Sequence, residues 1–361
     1  MVRCVKQPAP ATMAEIAEFD AIIDVRTPAE FELDRVPGAI NFPVLDDAER
    51  VEVGTTYRQV SAFEARKRGA ALVARNIAKH LLSEYFASRP RDWHPLIYCW
   101  RGGKRSGAMT HVLREIGWSA AQLEGGYQSY RRHVVAGLGT LPGQLSYRVV
   151  CGETGSGKSR LLHALAAAGA QVLDLEQLAR HRGSLLGDVP NERQPSQKAF
   201  ETGIWHALGR FDPARPVFIE AESRKIGELR VPETLLTAMW ASPCVRLELP
   251  LDQRVGLLKE EYAHFFADPD GLCEKLDRLT SLHGKAVIAE WKALARSAQW
   301  DRFVAQLLSK HYDPAYRRST GKHYARLGEA AVVACSDRGE SGMAHAAQDA
   351  LRAADPAEIP A

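Results

Sequence analysis

The sequence is poor in cysteine, with six in 361 residues, at positions 4, 99, 151, 244, 273 and 335. No two stand at metal-ligand spacing, which argues against a cysteine zinc site. Six scattered thiols in a chain of this length do not make a disulfide framework, so a reducing compartment is expected. Long apolar runs are missing too. Nothing approaches the roughly 20 apolar residues of a membrane span, and Met1 to Pro10 contains no apolar signal stretch. Charge of one sign does not dominate either: 47 Lys and Arg against 44 Asp and Glu leave +3. That balance neither requires nor forbids a nucleic-acid partner. There is no internal repeat. These absences fit a cytoplasmic protein with no membrane partner, built from two ordinary domains and working as a single chain.

What is present is an alternation of strands and helices, twice over. Ala21 to Arg26 reads as a short buried strand. Thr27-Pro28-Ala29-Glu30 reads as a helix start, with Thr27 as N-cap and Glu30 closing a capping box. Val36 to Asn41 is a turn feeding a strand, and residues 46–88 are polar and helix-prone. Pro95 to Tyr98 is a strand, and Arg105 to Ile116 a helix with His111, Val112 and Ile116 facing inward. Gly137 to Gly143, rich in Gly and Pro, is the candidate linker, taken as 138–146. Further strands are expected at 147–151, 171–175, 216–220 and 245–249, then helices over 252–308 with ends near Asp270-Gly271 and His283-Gly284. The fold class is α/β in both halves, with mainly parallel sheets. The predicted organisation is a domain over 1–137, the linker, a second α/β domain with a helical extension over 147–312, and a tail over 313–361 whose last thirty residues are Ala-rich, polar and frayed.

Two motifs carry chemistry. Cys99 opens the loop Cys99-Trp100-Arg101-Gly102-Gly103-Lys104-Arg105-Ser106 between a strand and a helix. Gly102 and Gly103 let backbone amides turn inward as an anion nest. Arg101, Lys104 and Arg105 add positive charge, and Ser106 caps the helix or joins the nest. Such surroundings lower a thiol pKa and make the cysteine reactive. A free cysteine is more often a buried, inert residue, but two glycines and three cations in six residues favour the reactive reading. The spacing Cys99 to Arg105 also matches the Cys-x5-Arg loop of protein phosphatases.

The second motif is a complete Gly-x4-Gly-Lys-Ser, Gly152-Glu153-Thr154-Gly155-Ser156-Gly157-Lys158-Ser159, with a strand before it and a helix after. Gly152, Gly155, Ser156 and Gly157 supply amides around phosphate oxygens, Lys158 a point charge, and Ser159 the expected Mg²⁺ ligand. ATP is the default occupant, but any diphosphate ester satisfies the same loop. Further on, the apolar run Val217 to Ile219 ends in Glu220-Ala221-Glu222-Ser223-Arg224-Lys225. Glu220 or Glu222 suits a Mg²⁺-positioning carboxylate, with Arg224 and Lys225 neutralising phosphate. A solvated charge cluster at a strand end fits equally well. Asp174 is as easily structural as site-facing. His111, His163 and His206, and Trp205, Trp240, Trp291 and Trp300, read as structural. Basic clusters at Arg66-Lys67-Arg68, Arg131-Arg132-His133, Arg180-His181-Arg182 and Arg317-Arg318 are each weak signs of a phosphate backbone partner, though together they allow one basic surface spanning both domains.

Residues 10–137 resemble the rhodanese family, through Asp24-Val25-Arg26-Thr27-Pro28-Ala29-Glu30-Phe31, Val36-Pro37-Gly38-Ala39-Ile40-Asn41, the Cys99 loop and Leu123-Glu124-Gly125-Gly126-Tyr127. That favours chalcogen transfer over phosphatase chemistry. Trp100 and the insertion at 46–88 point to a specialised substrate. With the phosphate loop, Gln194-Pro195-Ser196-Gln197, Phe200-Glu201 and Glu220 to Gly227, residues 10–310 resemble the tRNA 2-selenouridine synthase family. The resemblance implies a rhodanese-like domain followed by a P-loop domain. It also implies replacement of sulfur by selenium in wobble-position 2-thiouridine of tRNA. Geranyl diphosphate first alkylates the sulfur, and selenophosphate then supplies selenium. On this reading the P-loop, with Lys158 and Mg²⁺, holds the prenyl diphosphate, and Cys99 carries or positions selenium. The loop 183–200, with its Gly and Pro residues, is a candidate lid. An ATP-dependent sulfurtransferase and a regulatory nucleotide-binding module remain the alternatives.

Overall fold

A computed structural model of the chain describes residues 9–184 and 186–354. Two compact units divide at Gly137 and Leu138. In the first, β1 (Ala21–Asp24), α1 (Pro28–Leu33), β2 (Ile40–Asn41), α2 (Asp47–Gln59), α3 (Ala62–Leu81), α4 (Glu84–Ala87), β3 (Pro95–Tyr98), α5 (Lys104–Ile116), β4 (Ala121–Gln122) and α6 (Gly126–Thr140) follow in order. The strands form a parallel sheet, β2-β1-β3-β4. β3 is buried at every position, as a central parallel strand must be. The core gathers Ile23, Val44, Phe86, Trp93, Ile97, Met109 and Leu113.

The capping box at α1 forms in full, with Glu30 N donating to Thr27 Oγ1 and Thr27 N to Glu30 Oε2. The polar residues after β1 are buried. Arg26 lies 2.6 Å from Asp24, both at most 1% exposed. Its guanidinium sits 4.0 Å from the centre of the Tyr127 ring, and Tyr127 Oη donates to Asp34 at 2.8 Å. The Asp-Val-Arg and Gly-Gly-Tyr segments thus meet in one buried network, in which loss of one ion-pair partner costs roughly 3–5 kcal/mol.

The polar insertion is a helical hairpin: Glu52 pairs with Arg68 and Glu49 with Arg75, so α2 and α3 run antiparallel. α5 buries Ser106, Met109, Thr110 and Leu113. The inward placement of His111 and Ile116 is corrected, since both are exposed. His111 lies a step round the helix from the buried face, and Ile116 is in the last turn.

The second unit continues with β5 (Tyr147–Cys151), α7 (Lys158–Ala167), β6 (Gln171–Leu173), α8 (Leu175–Ala179), α9 (Gln197–Leu208), β7 (Val217–Glu220), β8 (Lys225–Ile226), β9 (Leu229–Arg230), α10 (Glu233–Ala241), β10 (Cys244–Glu248), α11 (Leu251–Glu261), α12 (His264–Ala267), α13 (Pro269–Leu276), α14 (Thr280–Arg296), α15 (Trp300–Leu307), a π-helical turn Leu308–Tyr312, α16 (Asp313–His323), β11 (Ala331–Ala334) and α17 (Glu340–Ala354). Five strands make a parallel sheet, β11-β10-β5-β7-β6. The helices from α11 to α15 have their own core around Trp291, Leu276, Phe303 and Leu308.

The two units divide at the start of the expected linker, and that segment is helical: α6 runs through Thr140, a 3₁₀ turn covers Leu141–Gln144, and Pro142 is buried. The stripe Tyr127, Tyr130, Val134, Leu138, at helical spacing and buried, holds the helix despite its glycines. The tail is not frayed through to 354. β11 pairs with β10, and α17 buries Met343, Ala346, Ala347, Ala350 and Ala354 in the sheet's core. Asp270-Gly271 begins α13 rather than ending a helix, because Asp268 caps the amide of Gly271. Gly284, at φ 78°, does break α14.

Candidate functional sites

The first site is the end of β3. Cys99 is 4% exposed there, and its Sγ accepts from Gly103 N at 3.3 Å and Ser106 Oγ at 3.1 Å. Burial alone pushes this thiol up. The Ser106 hydroxyl and amide, with the amides of Gly103 and Arg101, outweigh it and hold Cys99 below its ordinary value. Gly126 builds the floor: its φ is 54°, and a Cβ would collide with Cys99 O and come within 2.5 Å of Gly102 N. Tyr127 N donates to Cys99 O at 2.8 Å. Trp100 stacks on Tyr127 with centroids 5.3 Å apart.

The three expected cations differ. Arg101 and Lys104 are exposed. Arg105 is turned away onto Glu30, at 2.7 Å, with both side chains largely covered. Burial pushes the Glu30 carboxyl up, but Arg105 outweighs that and holds it below its usual range. A phosphatase needs this arginine on the bound anion; here it braces α1 against α5. Sequence reasoning missed Gln122, whose Nε2 donates to Ser106 Oγ at 2.8 Å and to Gly103 O at 3.1 Å. Those donations leave the Ser106 hydroxyl proton free to point at Cys99 Sγ.

The second site is the loop between β5 and α7, opening into a cavity of 720 Å³. Gly155 and Gly157 have φ of 76° and 87°. A Cβ on Gly155 would stand 2.8 Å from Leu258, and one on Gly157 2.6 Å from Met343. Gly152 N donates to Tyr316 Oη at 2.7 Å, and Lys158 Nζ to Gly152 O at 2.8 Å. Ser156 Oγ is buried with no partner among the described residues. Arg254, buried, holds the loop from behind by donating to Thr154 O and pairing with Glu153 and Asp313.

Carboxylates crowd one side. Ser159 Oγ donates to Glu176 Oε2 at 3.0 Å. Glu220 is buried, accepts from Glu176 N at 2.9 Å through one oxygen, and leaves the other without a partner. Burial, then the neighbouring Asp174, Glu176 and Glu222, push Glu220 far up. Burial and Glu176 push Glu222 up to about 8. Among the described residues no group of three or more His, Cys, Asp or Glu side chains is arranged to hold a metal ion by itself. Asp174 caps α8 through Gln177 N and lies 3.3 Å from His163.

The predicted basic support does not reach this cavity. Arg224 lies 3.6 Å from Glu233 and over the Trp240 ring, while Lys225 lines a neighbouring groove. The cations on the cavity wall are Lys158, Arg160, Arg180 and Arg182. Glu176, Arg182 and Tyr316 were missed as site residues. The basic cluster at 180–182 was their one sequence signal, and it pointed to RNA.

The two sites define a class: an α/β protein joining a cysteine anion loop, built on one parallel sheet, to a P-loop built on another. Residues 10–133 match the rhodanese-like domain family, and residues 145–269 match the tRNA 2-selenouridine synthase AAA domain family. Proteins named tRNA 2-selenouridine synthase are similar to most of the chain. The one from Shewanella loihica is 32% identical across 86% of this chain and 90% of its own length. The one from Shewanella halifaxensis is 31% identical across 85% and 90%. The one from Nitrosomonas europaea is 35% identical across 67% of this chain, and the match spans 63% of that protein. The chain belongs to the tRNA 2-selenouridine synthase family. No helix among the described residues is long and apolar enough to cross a membrane.

Proposed function

We propose that this protein replaces the sulfur of wobble-position 2-thiouridine in tRNA by selenium, using geranyl diphosphate and then selenophosphate. The observation that carries this reading is the pairing, in one chain, of a thiolate-stabilising loop at Cys99 with a P-loop whose cavity is walled by Leu257, Leu258, Tyr262, Tyr312 and Tyr316. Leu257 and Leu258 offer a prenyl chain an apolar wall beside the phosphate loop. The thiocarbonyl sulfur attacks the first carbon of the geranyl group, and the carbon–oxygen bond to diphosphate breaks. Lys158 and the loop amides hold the departing diphosphate. The selenium of selenophosphate then attacks carbon 2 of the S-alkylated base, geranylthiol leaves, and water cleaves the phosphorus–selenium bond to release phosphate and the 2-selenouridine. Cys99 positions the selenophosphate, with the Gly102–Gly103 nest around the anion, and no selenium is transferred to its sulfur, so no oxidant is needed.

The acid cluster fits Mg²⁺. Ser159 Oγ stands beside Glu176, and burial, then Glu176, push the Glu222 carboxyl up, a shift that a bound divalent cation would oppose. When bound, the cation supplies charge neutralisation to the leaving diphosphate. Ser159, Glu176 and Glu222 are the residues to hold it.

The test is nucleoside mass spectrometry of 2-thiouridine tRNA incubated with protein, Mg²⁺ and geranyl diphosphate, with and without selenophosphate. The expected result is an S-geranyl adduct that converts to 2-selenouridine when selenophosphate is added. No adduct, with RNA-dependent ATP turnover instead, would assign the chain to ATP-dependent sulfur transfer.

A further inference from the structure

Beside the P-loop cavity lies a second groove of 750 Å³ in the same unit. Arg180, His181, Gly183 and Ser184 line both, so the two spaces share a wall. Four cations converge on the groove from four segments. Arg180 follows α8, Arg193 precedes α9, Lys225 is on β8, and Arg278 is in the turn between α13 and α14. All four are exposed, and among the described residues none has a carboxylate within 4.0 Å. Elsewhere in this unit Arg160, Arg254, Lys292 and Arg338 are each paired. Of the groove's acids, Asp188 pairs with Lys275 at 2.5 Å and His181 at 3.5 Å and feels Arg278 only at longer range. Glu192 and Glu228 remain, so positive charge is in excess.

The groove is also held in shape. Gln194 Nε2 donates to Ile226 O at 3.0 Å and Ala179 O at 3.2 Å, and Gln194 Oε1 accepts from Glu228 N at 2.9 Å. One amide thus fixes the strand carrying Lys225 to the helix end carrying Arg180. Unpaired cations on a fixed frame, spread along a groove larger than one phosphate, match a polyanion rather than a single anion.

We propose that this groove receives the phosphodiester backbone of the RNA substrate, so that a base splayed from a single-stranded loop passes over the shared wall into the P-loop cavity. The inference rests on the RNA-modifying reading above and adds the place where the strand lies.

The test uses the full chain, unmodified 2-thiouridine tRNA, and the double variant Arg193→Ala/Arg278→Ala. Both side chains are exposed and unpaired, so folding is preserved, and an unchanged melting curve verifies this. The expected result is tRNA binding at least about 10-fold weaker at about 0.15 M salt, with the slope of log K on log salt reduced by roughly 0.7 per cation removed, the single-strand value. The melting shift produced by geranyl diphosphate stays as in the parent. A variant binding tRNA with the parent affinity and slope overturns the groove assignment and leaves the RNA-modifying reading standing. A parent protein that binds no tRNA overturns both. Polyglutamate competing as well as RNA for the groove would identify an acidic polypeptide as its occupant and overturn the inference.

Discussion

At the scale of single residues, the reactivity of Cys99 is set by a short chain of donors. Gln122 donates to Ser106 Oγ, and Ser106 to Cys99 Sγ. Ser106→Ala removes a donor to the thiolate directly, and Gln122→Leu frees the hydroxyl to turn to Gly103 O. In both variants the midpoint of Cys99 alkylation by iodoacetamide moves to higher pH, further for Ser106→Ala; unchanged midpoints would show that the backbone amides act alone. The loop itself was legible, because glycine and charge cluster within six residues. Gln122 was not, since it lies sixteen residues from Ser106 and only the pairing of β3 with β4 brings it near. The same blindness made Arg105 look like an anion ligand, because its partner Glu30 comes from another helix.

A second residue-scale consequence concerns Glu222. Its folded pKa, pushed up to about 8, lies above its unfolded value. The folded protein keeps a proton that the unfolded chain releases, so stability falls as pH rises from the ordinary carboxylate range through about 8. Urea midpoints measured without divalent cation therefore fall from pH 5 to pH 9, and Glu222→Gln flattens that fall. Mg²⁺ favours the ionised carboxylates, so it restores stability most at the alkaline end. A parent and variant with parallel pH profiles would remove Glu222 from the account.

At the scale of elements, the misread parts are those where composition conceals packing. The Ala-rich end reads as weak structure, yet positions 343, 346, 347, 350 and 354 form one helical stripe. Small side chains there let α17 lie close against α7 and the sheet. Ala350→Leu overpacks this contact and costs about 1–3 kcal/mol in urea unfolding; a neutral result would place Ala350 outside the close contact. Short apolar strands, capping residues and the two loops were legible because their signals are local. Continuation of α6 through Gly137 and Gly139 was not, because a buried stripe there overrides a local preference worth roughly 1 kcal/mol per glycine.

At the scale of the whole molecule, two sheets with separate cores each carry one loop, and the proposed reaction divides the same way. Lys158→Ala loses the grip on diphosphate and forms no geranyl adduct. Supplied with tRNA already S-geranylated, it still yields 2-selenouridine. Cys99→Ser does the reverse, accumulating the adduct and converting none of it. Nucleoside mass spectrometry separates these outcomes, and loss of both steps in either variant would argue against divided roles. The order of the two motifs was plain in the sequence. The acid cluster around Ser159 was only half so, since Glu176 joins it from a helix that the strand pattern at 171–175 concealed.

The neighbour of Gly157 has a consequence in time. Met343 of α17 stands against that glycine, and β11 closes the sheet that carries the loop. During synthesis the phosphate loop emerges from the ribosome long before either. The cysteine unit can fold and become reactive while the rest of the chain is still being made. The diphosphate site, although encoded well upstream, reaches its final form only when β11 and α17 have been released.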